Sequence, residues 1–557
     1  MLNPDPVFKI PDKGLYFLSL GGIGEIGANC YLYGSDNKWI MIDLGLAFAD
    51  DKHPGIDLLL PKVDFLEQIK DNLEAVIISH GHEDHAGALA FFIEKINCPV
   101  YATGFASSLI KSRLKEFGKL DSTNLNIIDS TKPLKFNNFE LQFISTTHSI
   151  PEPYSIIIKT KYGKLLHTAD WKIDYNSQIG DSFDKQSFEN LGEEGLLALI
   201  GDSTNADSVG TSKSESDVGE ELTKLFTRYD KRIVTTCFSS NIARIENIAK
   251  AAKKNNRKVV LIGRSMKRMI EASLENGYLK DINNFTSDDE ASYIPRGNIV
   301  IICTGSQGEK RSALHRIAYN THSKIHLESG DVVIFSSKDI PGNEKSINNL
   351  QNLLIRQKVE VITNDDELVH VSGHCHAEEI KQLYQWTRPY IAIPVHGEPK
   401  HLVAHSKLAQ STQVPITKIL ENGLCLKIAP KEPEIYGKIK TGKLIVEGKN
   451  IYDSESDFIK DRRKFSFEGL ILITIIINSD FTLHKEIKIT PKGLSNDKYT
   501  SMEIYFKENF LNEYLNLSKD KKSSDSIVVD LVKKVLRQYT RIHLGKKPEV
   551  SVHIFRL

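Results

Sequence analysis

The sequence predicts an α/β protein built from more than one domain. Apolar, β-branched runs that fit buried strands alternate with segments of helical spacing along most of the 557 residues. Between Arg232 and Gln357, four strand-then-helix units follow one another, which favours a parallel sheet. The length suggests about three to four domains, and the apolar content of 40% is sufficient for sizeable cores.

Composition narrows the classes of function. The 72 Lys and Arg residues balance the 72 Asp and Glu residues, so a nucleic-acid binder would need a local basic groove. The six cysteines are widely spaced and form no CxxC pair, which argues against a disulfide framework. Residues 1–14 lack the blocks of a signal peptide, and the longest apolar run, Leu470 to Ile477, is too short to span a bilayer. We therefore expect a cytoplasmic protein with no membrane partner.

A dense polar loop follows the predicted strand Ala75 to Ile78. It reads SHGHEDHAG and places His80, His82, Asp84 and His85 within six residues. His80 and His82 can face one ion, while Asp84 and His85 can face a second. Imidazole suits zinc, and carboxylate oxygen also suits harder ions such as manganese. The loop therefore predicts a site for divalent metal.

The string HGHEDH fits the HxHxDH signature of the metallo-β-lactamase superfamily, and the wider pattern resembles the ribonuclease J family of its β-CASP branch. The strings SGHCH, PVHGE, TGSQGE and IPGNE carry the narrower resemblance, which extends to about residue 450. It implies a four-layer αββα sandwich made of residues 1–207 and 368–448, interrupted by a β-CASP parallel α/β domain at 208–367. A polar linker at 449–464 and a small α/β C-terminal domain at 465–557 would complete the chain.

Polar residues at strand ends supply the remaining candidates. Asp43 follows the apolar run WIMI, His148 follows Phe139 to Thr146, Asp170 follows Lys164 to His167, and His396 follows Tyr390 to Pro394. Helices are predicted between these strands at Ala86 to Ile96, Phe105 to Phe117 and Ser216 to Tyr229. Taken singly, Asp43 is also compatible with an ordinary strand-end turn, and neither His148 nor Asp170 is specific for a metal site.

The resemblance implies a role for each candidate. His80, His82 and His148 would bind one ion, Asp84, His85 and His396 the other, and Asp170 would bridge the two. Asp43 would orient a metal ligand by hydrogen bonding. Two divalent ions per chain, with zinc expected ahead of manganese, would activate water for attack on a phosphodiester and leave a 5′-phosphate and a 3′-hydroxyl.

Two further positions match β-CASP motifs. His374, in SGHCH, is implied to contact the scissile phosphate and to act as the acid for the leaving oxygen. Glu215 is implied to hold His374 in register. His396 stands where the DNA cross-link repair members of the branch have valine, which favours RNA as the substrate.

The resemblance also implies a pocket for the 5′-monophosphate of RNA. Its residues would be Ser239, Ser240, Asn241, Arg244, Arg264, Ser372, Gly373 and His374. Hydroxyl and amide groups at a strand-to-helix turn can meet a phosphate, but plain helix capping by Ser and Asn explains the same residues equally well.

These observations predict a two-metal ribonuclease that degrades single-stranded RNA 5′-to-3′, with internal cleavage as a further activity, in RNA decay and in rRNA and mRNA 5′-end processing. Two alternatives stay open: a small-molecule hydrolase acting on a thioester or lactone, and a non-catalytic scaffold of RNA processing. A homodimer or homotetramer, and association with an RNA helicase or the ribosome, are implied by the resemblance alone.

Overall fold

The computed structural model of the chain describes residues 8–50, 52–282, 285–340, 342–484, 486–495 and 499–557. Residues 1–7, used above to exclude a signal peptide, and Pro341 of the IPGNE string therefore lie outside the described residues. The chain divides into two compact units, residues 1–48 with 58–443 and residues 49–57 with 444–557.

The first unit opens with strands and short helices that lead to the candidate site. These elements are β1 (Leu15–Gly21), β2 (Cys30–Ser35), β3 (Lys38–Ile42), β4 (Ala47–Phe48), β5 (Leu58–Pro61), α1 (Leu66–Ile69), β6 (Leu73–Ile78), α2 (Glu83–Ala86), α3 (Leu89–Phe92), β7 (Val100–Ala102), α4 (Gly104–Glu116), β8 (Leu125–Ile127), β9 (Leu134–Lys135), β10 (Glu140–Ser145), β11 (Tyr154–Thr160), β12 (Gly163–His167), α5 (Lys185–Glu194) and β13 (Ala198–Asp202).

The middle of the first unit alternates helices with short strands. It comprises α6 (Glu215–Thr227), β14 (Ile233–Thr236), α7 (Ile242–Lys254), β15 (Lys258–Ile262), α8 (Arg264–Glu275), β16 (Ile299–Cys303), α9 (Ala313–Ala318), β17 (Val332–Phe335), α10 (Glu344–Arg356) and β18 (Glu360–Ile362). The chain then adds α11 (Ala377–Thr387), β19 (Ile391–Val395), α12 (Pro399–Ser411), β20 (Ile416–Thr417), β21 (Leu424–Ala429) and β22 (Glu434–Lys438).

Two large sheets face each other in the first unit. Their strand orders are β22-β21-β1-β2-β3-β6-β7-β8 and β20-β19-β13-β12-β11-β10-β9. Ile40 and Ile77 of the first sheet pack with Ile156 and Leu165 of the second in one buried core. Helices α5, α11 and α12 cover the outer face of the second sheet. Met41 points to the outer face of the first sheet and is also buried, so both faces are covered, as the predicted four-layer sandwich requires.

The middle elements form the predicted parallel sheet, with the order β15-β16-β14-β17-β18. Helices α6, α7 and α8 pack on one face, and α9 and α10 pack on the other. The loops that follow β14 and β16, two neighbouring strands, therefore lead to helices on opposite faces. Such a switch point leaves a crevice at the carboxyl edge of a parallel sheet.

The helix predicted over Ala86 to Ile96 is wrong in detail, because the chain bends within it. Helix α2 ends at Ala86, α3 covers only Leu89–Phe92, and a 3₁₀ turn follows at Ile93–Lys95. The backbone N–H of Ala88 donates to the carbonyl of Leu44 at 3.0 Å rather than to its own helix. Tertiary hydrogen bonding therefore overrides the apolar spacing that favoured one longer helix.

The second unit contains a three-stranded sheet and long helices. Its elements are β23 (Lys443–Glu447), β24 (Asn450–Asp453), α13 (Asp457–Glu468), β25 (Leu470–Ile477), β26 (Lys488–Lys492), α14 (Tyr499–Leu515), α15 (Lys519–Ser523), α16 (Asp525–His543) and β27 (Glu549–Arg556). Residues of β25, α14 and α16 share one buried core.

The segment predicted as a polar linker, residues 449–464, carries regular secondary structure. Strand β24 pairs with β23 there, and helix α13 begins at Asp457. Only Ile459 of α13 is fully buried, so the sequence of this helix carries almost no apolar stripe. None of the helices in the described part of the chain combines the length and the apolar character that crossing a lipid bilayer requires.

Candidate metal centre

The strands that end at the candidate site are neighbours in one sheet. Strand β12 pairs in parallel with β13, and β13 pairs in parallel with β19. Because parallel strands end at the same edge, Asp170, Asp202 and His396 come together there although β19 follows β13 by nearly two hundred residues. The loop after β6, with His80 to His85, supplies the remaining donors from the facing sheet.

Three histidines and one carboxylate form the first group of donor atoms. The Nδ1 atom of His82 lies 3.0 Å from Nε2 of His80 and 3.0 Å from Nε2 of His148. The Oδ2 atom of Asp170 lies 3.7 Å from the same nitrogen of His80 and 3.6 Å from that of His148. Imidazole nitrogens this close suit ligands about 2.0–2.1 Å from one zinc ion.

A second group shares Asp170 with the first. The Oδ2 atom of Asp84 lies 3.5 Å from Nε2 of His85 and 3.3 Å from Nε2 of His396. Asp170 approaches the same two histidines, with Oδ2 3.2 Å from Nε2 of His85 and Oδ1 2.9 Å from Nδ1 of His396. All seven predicted metal ligands therefore meet in two four-donor groups with Asp170 common to both.

Buried hydrogen bonds fix the orientation of these ligands. Asp43 accepts a hydrogen bond from Nδ1 of His85 at 2.7 Å, and Ser79 donates to it through its backbone N–H and its hydroxyl. Asp43 and His396 adopt left-handed backbone conformations, with φ of 63° and 50°. Such conformations are unfavourable for residues with a Cβ and concentrate at functional sites.

The electrostatics of the two groups differ. Burial lowers the pKa of His82 to about 4 and that of His148 to about 3, so both rings are neutral, the form that binds metal. Burial also disfavours protonation of His85, but Asp170 and Asp84 outweigh it and raise its pKa well above the usual range. The negative charge that attracts a proton to His85 would equally stabilise a divalent cation.

The donor set fits divalent metal. Imidazole and carboxylate are ligands that zinc and manganese accept. Oδ1 of Asp170 and Nε2 of His396 are buried and, among the described residues, have no hydrogen-bond partner of good geometry. Buried polar atoms are normally satisfied, so these two atoms fit bonds to metal.

His374 lies at the edge of the donor groups and is paired with an acid that the sequence analysis missed. Its Nδ1 atom lies 2.8 Å from Oδ2 of Asp202, and its Nε2 atom lies 3.8 Å from Oδ2 of Asp170. Burial lowers the pKa of His374, but the carboxylates of Asp202 and Asp170 more than offset this and raise it. The missed signal was a strand-end acid, since Asp202 ends the apolar strand β13.

The predicted contact between Glu215 and His374 is wrong. Glu215 instead accepts hydrogen bonds from the guanidinium of Arg244, at 2.5 and 3.0 Å, and from the side-chain amide of Asn247. It begins helix α6, on the side of the parallel sheet, whereas Asp202 ends a strand beside His396. The carboxylate that orients His374 is therefore Asp202.

Arg244 and Asn241 are also not free for a phosphate. Arg244 is fully buried, and besides Glu215 its guanidinium donates to the carbonyl oxygens of Ser336 and Val369, both at 2.9 Å. The side chain of Asn241 caps helix α7 by accepting from the backbone N–H of Arg244. Both side chains therefore serve the fold.

The remaining residues of the predicted phosphate pocket fall in two places. Ser239, Ser240 and Arg264 lie at the carboxyl edge of the parallel sheet, and Arg264 is exposed at the start of α8. Ser372 and Gly373 lie beside the metal groups instead: Ser372 accepts from the backbone N–H of His374 at 3.1 Å, and the carbonyl of Gly373 accepts from Nδ1 of His148 at 2.6 Å. A Cβ at Gly373 would lie 2.7 Å from the ring of His148, so only glycine fits.

Models of known protein families match most of the chain. The metallo-beta-lactamase superfamily matches residues 23–182, and the beta-CASP domain of ribonuclease J matches residues 230–354. A zinc-dependent metallo-hydrolase RNA specificity domain matches residues 358–417, and the ribonuclease J C-terminal domain matches residues 457–557. Fold and site thus define a metal-dependent hydrolase of the metallo-β-lactamase superfamily that acts on RNA.

Similarity to individual proteins is equally direct. A ribonuclease J of Sinorhizobium meliloti is 38% identical over 552 residues, which is 98% of both chains. A ribonuclease J 1 of Streptococcus pyogenes is 37% identical and covers 83% of this chain and 82% of its own length. A ribonuclease J of Thermus thermophilus is 35% identical, with 84% of each chain covered. The chain belongs to the ribonuclease J family, and it is a metal-dependent ribonuclease.

A solved structure shows the fold at greater distance. The crystal structure of a protein of unknown function from Enterococcus faecalis V583 has a TM-score of 0.52 and 16% identity, and covers 74% of this chain and 99% of its own. At this identity the likeness concerns the fold alone.

Neither alternative function gains support, because a small-molecule hydrolase does not explain the matched RNA specificity domain and a scaffold does not explain seven convergent metal donors.

Proposed function

We propose that the protein degrades single-stranded RNA from a 5′-monophosphate end in the 5′-to-3′ direction and cuts internally as a further activity. The observation that carries the proposal is the convergence of seven metal donors beside the His374–Asp202 pair. We further propose a role in RNA decay and in the 5′-end processing of rRNA and mRNA in the cytoplasm, a homodimer or homotetramer, and a helicase or ribosome partner. Similarity to ribonuclease J relatives supports these proposals.

Two divalent ions are part of the proposal, with zinc expected ahead of manganese. His80, His82, His148 and Asp170 would hold one ion, and Asp84, His85, His396 and Asp170 would hold the other. Such a pair supplies an activated water and neutralises charge on a phosphodiester. The chain's own contribution is to hold the neutral imidazoles in fixed orientation, which Asp43 and the carbonyl of Gly373 do by hydrogen bonding.

His374 is proposed as the acid for the leaving 3′-oxygen. Its ring keeps partial exposure, with 21% of the side chain accessible, so it can meet a substrate. Asp202 fixes the ring through Nδ1, which leaves Nε2 directed towards the metal groups. The carboxylates of Asp202 and Asp170 raise the pKa of His374, which favours the protonated ring that an acid catalyst requires.

The 5′-monophosphate is proposed to bind at the carboxyl edge of the parallel sheet. The crevice between the ends of β14 and β16 is where parallel sheets bind ligands. Ser239 and Ser240 offer hydroxyls at the end of β14, next to the N-terminus of α7, and Arg264 adds a positive charge after β15. Arg244 and Asn241 are excluded from this proposal because their side chains are committed elsewhere.

Digestion of one body-labelled RNA with three different 5′ ends tests the proposal. We expect mononucleotides to accumulate rapidly from the 5′-monophosphate form, slowly from the 5′-triphosphate form and more slowly still from the 5′-hydroxyl form. Parallel reactions with zinc, manganese and magnesium identify the active ion, and a 3′-hydroxyl on an internal cleavage fragment checks the predicted bond. Equal rates on all three ends, or shortening from the 3′ end, would overturn the end-directed mechanism.

A further inference from the structure

A buried carboxylate lies where the chain crosses between the two-sheet sandwich and the parallel sheet. Glu379, in the first turn of α11, is 1% exposed. Its Oε1 atom accepts hydrogen bonds from the backbone N–H of Ile173 and the hydroxyl of Ser212, both at 2.8 Å. Its Oε2 atom accepts from the backbone N–H of Ser212 at 2.7 Å and that of His376 at 2.9 Å.

The donors to Glu379 come from three separate segments. Ile173 follows the metal-binding Asp170 by three residues, and His376 follows His374 by two. Ser212 belongs to the outgoing segment, residues 203–214, which leads from β13 to helix α6. His376 belongs to the return segment, residues 369–376, which leads back to α11.

Neighbouring hydrogen bonds tie the same segments together. The backbone N–H of Cys375 donates to the carbonyl of Trp171 at 2.7 Å. The side-chain amide of Asn205 donates to the hydroxyl of Ser372 at 2.7 Å and to the carbonyl of His374 at 3.3 Å. The region where the three segments meet is called the junction. Among the described residues, Glu379 is the only ionisable side chain that forms direct hydrogen bonds to all three segments of the junction.

The distance between His374 and Asp170 depends on this junction. Asp202 fixes the ring of His374, but the backbone that carries the ring is positioned by the bonds to Glu379 and Asn205. Catalytic rates are sensitive to such placement, since an error of about 1 Å can cost roughly 100-fold.

We propose that Glu379 is a positioning residue that holds the return segment and the Asp170 loop at a fixed separation, and thereby sets the rate of RNA cleavage rather than the affinity for RNA. This inference rests on the proposed role of His374. Glu379 contacts no residue of the two metal-ligating groups. The four groups that donate hydrogen bonds to it are neutral.

A carboxylate is required at position 379 because every group that faces it donates a hydrogen bond. In Glu379→Gln the side-chain amide has nearly the same size, but its NH₂ group must replace one oxygen. In place of Oε2 it would face the N–H groups of Ser212 and His376, and in place of Oε1 it would face the N–H of Ile173. Either orientation sets N–H against N–H in a buried site, where unsatisfied groups are costly.

The test compares Glu379→Gln with Glu378→Gln in the full chain. Glu378 is the adjacent residue, and its half-exposed side chain pairs with Lys381 at 2.8 Å on the surface. The measurements are kcat and KM on 5′-monophosphorylated RNA, bound metal, and amide hydrogen exchange. We expect Glu379→Gln to lower kcat about 10- to 100-fold, to leave KM and metal content unchanged, and to speed exchange jointly at Ile173, Ser212 and His376. Glu378→Gln should match the wild type.

Three outcomes would overturn the proposal: wild-type kcat in Glu379→Gln, a rise in KM without a fall in kcat, or faster exchange confined to α11. If Glu379→Gln does not fold, Ser212→Ala removes only the hydroxyl donor, and we expect a fall in kcat of about two- to fivefold, as for a lost hydrogen bond of about 0.5–1 kcal/mol. Wild-type kcat in that variant would then decide against the role. If the wild type itself left RNA intact, the proposed function would fail, and the exchange experiment alone would still decide whether Glu379 joins the three segments.

Discussion

Two buried polar clusters in the first unit each combine acidic with basic side chains and differ in how completely their polar atoms are hydrogen-bonded. The metal centre groups Asp170 with histidines and leaves Oδ1 of Asp170 and Nε2 of His396 without a well-formed hydrogen bond among the described residues. The Glu215–Arg244 cluster is as deeply buried, but the guanidinium of Arg244 meets Glu215 and the carbonyls of Ser336 and Val369. An incompletely satisfied cluster has capacity for a ligand, whereas a satisfied one stabilises the fold.

The comparison explains why motif matching alone misplaced Glu215 and Arg244. Arg244 is a positive residue at a strand-to-helix turn, as a phosphate ligand would be, and Glu215 is an acid that a β-CASP motif assigned to His374. Their charges neutralise each other before any substrate arrives, and Arg244 has no exposed surface. Four predictions distinguish residues that bind a ligand from residues that stabilise the fold, and they run from the largest expected effect to the smallest.

Asp170→Ala removes the carboxylate shared by both donor groups. We expect cleavage of RNA to fall to background while RNA binding persists, because the fold outside the centre is untouched and each of the two donor groups loses one of its four members. Elemental analysis should show fewer bound ions than in the wild type. Asp181→Ala, at an exposed position outside the centre, is the control. Full activity in Asp170→Ala would remove the two-ion centre from the mechanism.

Asp202→Asn tests the acid that was found only in the structure. An amide at this position cannot hold the charge that raises the pKa of His374, and it weakens the bond that orients the ring. We expect kcat to fall about 10- to 100-fold, as for other partners that orient catalytic groups. Asp207→Asn, with an exposed carboxylate in the same loop, is the control. Equal kcat for both variants would contradict a role for Asp202.

Glu215→Gln should act on stability instead. It leaves the charge of Arg244 buried without its partner, and breaking a buried pair costs about 3–5 kcal/mol of unfolding free energy. Urea unfolding measures this loss, and the folded fraction should keep its kcat and bound metal. Adding Arg244→Leu should recover part of the stability, because the uncompensated charge is then removed. Loss of kcat at unchanged stability would return Glu215 to the catalytic machinery.

Arg264→Ala should give the smallest effect. An exposed arginine that meets a phosphate contributes modestly, so we expect the preference for 5′-monophosphate over 5′-hydroxyl RNA to fall about two- to fivefold. Lys254→Ala, at the far end of α7, serves as the control. Asn241→Ala should instead lower stability by about 1 kcal/mol through the lost cap and leave the preference unchanged. An unchanged preference in Arg264→Ala would remove that residue from the pocket.

The sequence predicted those features whose residues are close to one another along the chain. His80, His82, Asp84 and His85 are adjacent in one loop, and the ends of apolar strands indicated His148, Asp170 and His396. The same reasoning reached the parallel sheet, because each strand-then-helix unit is complete within about thirty residues. These features depend on neighbours along the chain, so they survive without knowledge of the tertiary fold.

Pairing between distant segments was not predictable in the same way. Asp202 lies beside His374 because the return segment pairs with the loop that follows β13, where Asn205 bridges His376, and no spacing in the sequence reveals this pairing. The bend at Ala88 arises from a hydrogen bond to Leu44, and helix α13 is too polar to show a helical stripe. The domain boundaries at 207, 367 and 448 stay predictions.

The parallel neighbours β13 and β19 also set an order of events during synthesis. Protein chains emerge from the ribosome N-terminus first, so His80 to His85 are made long before the strand that bears His396. Until that strand inserts beside β13, the second donor group lacks His396. A growing chain is therefore expected to stay inert towards the message being translated, and cleavage begins only once the nascent polypeptide has closed its sheet.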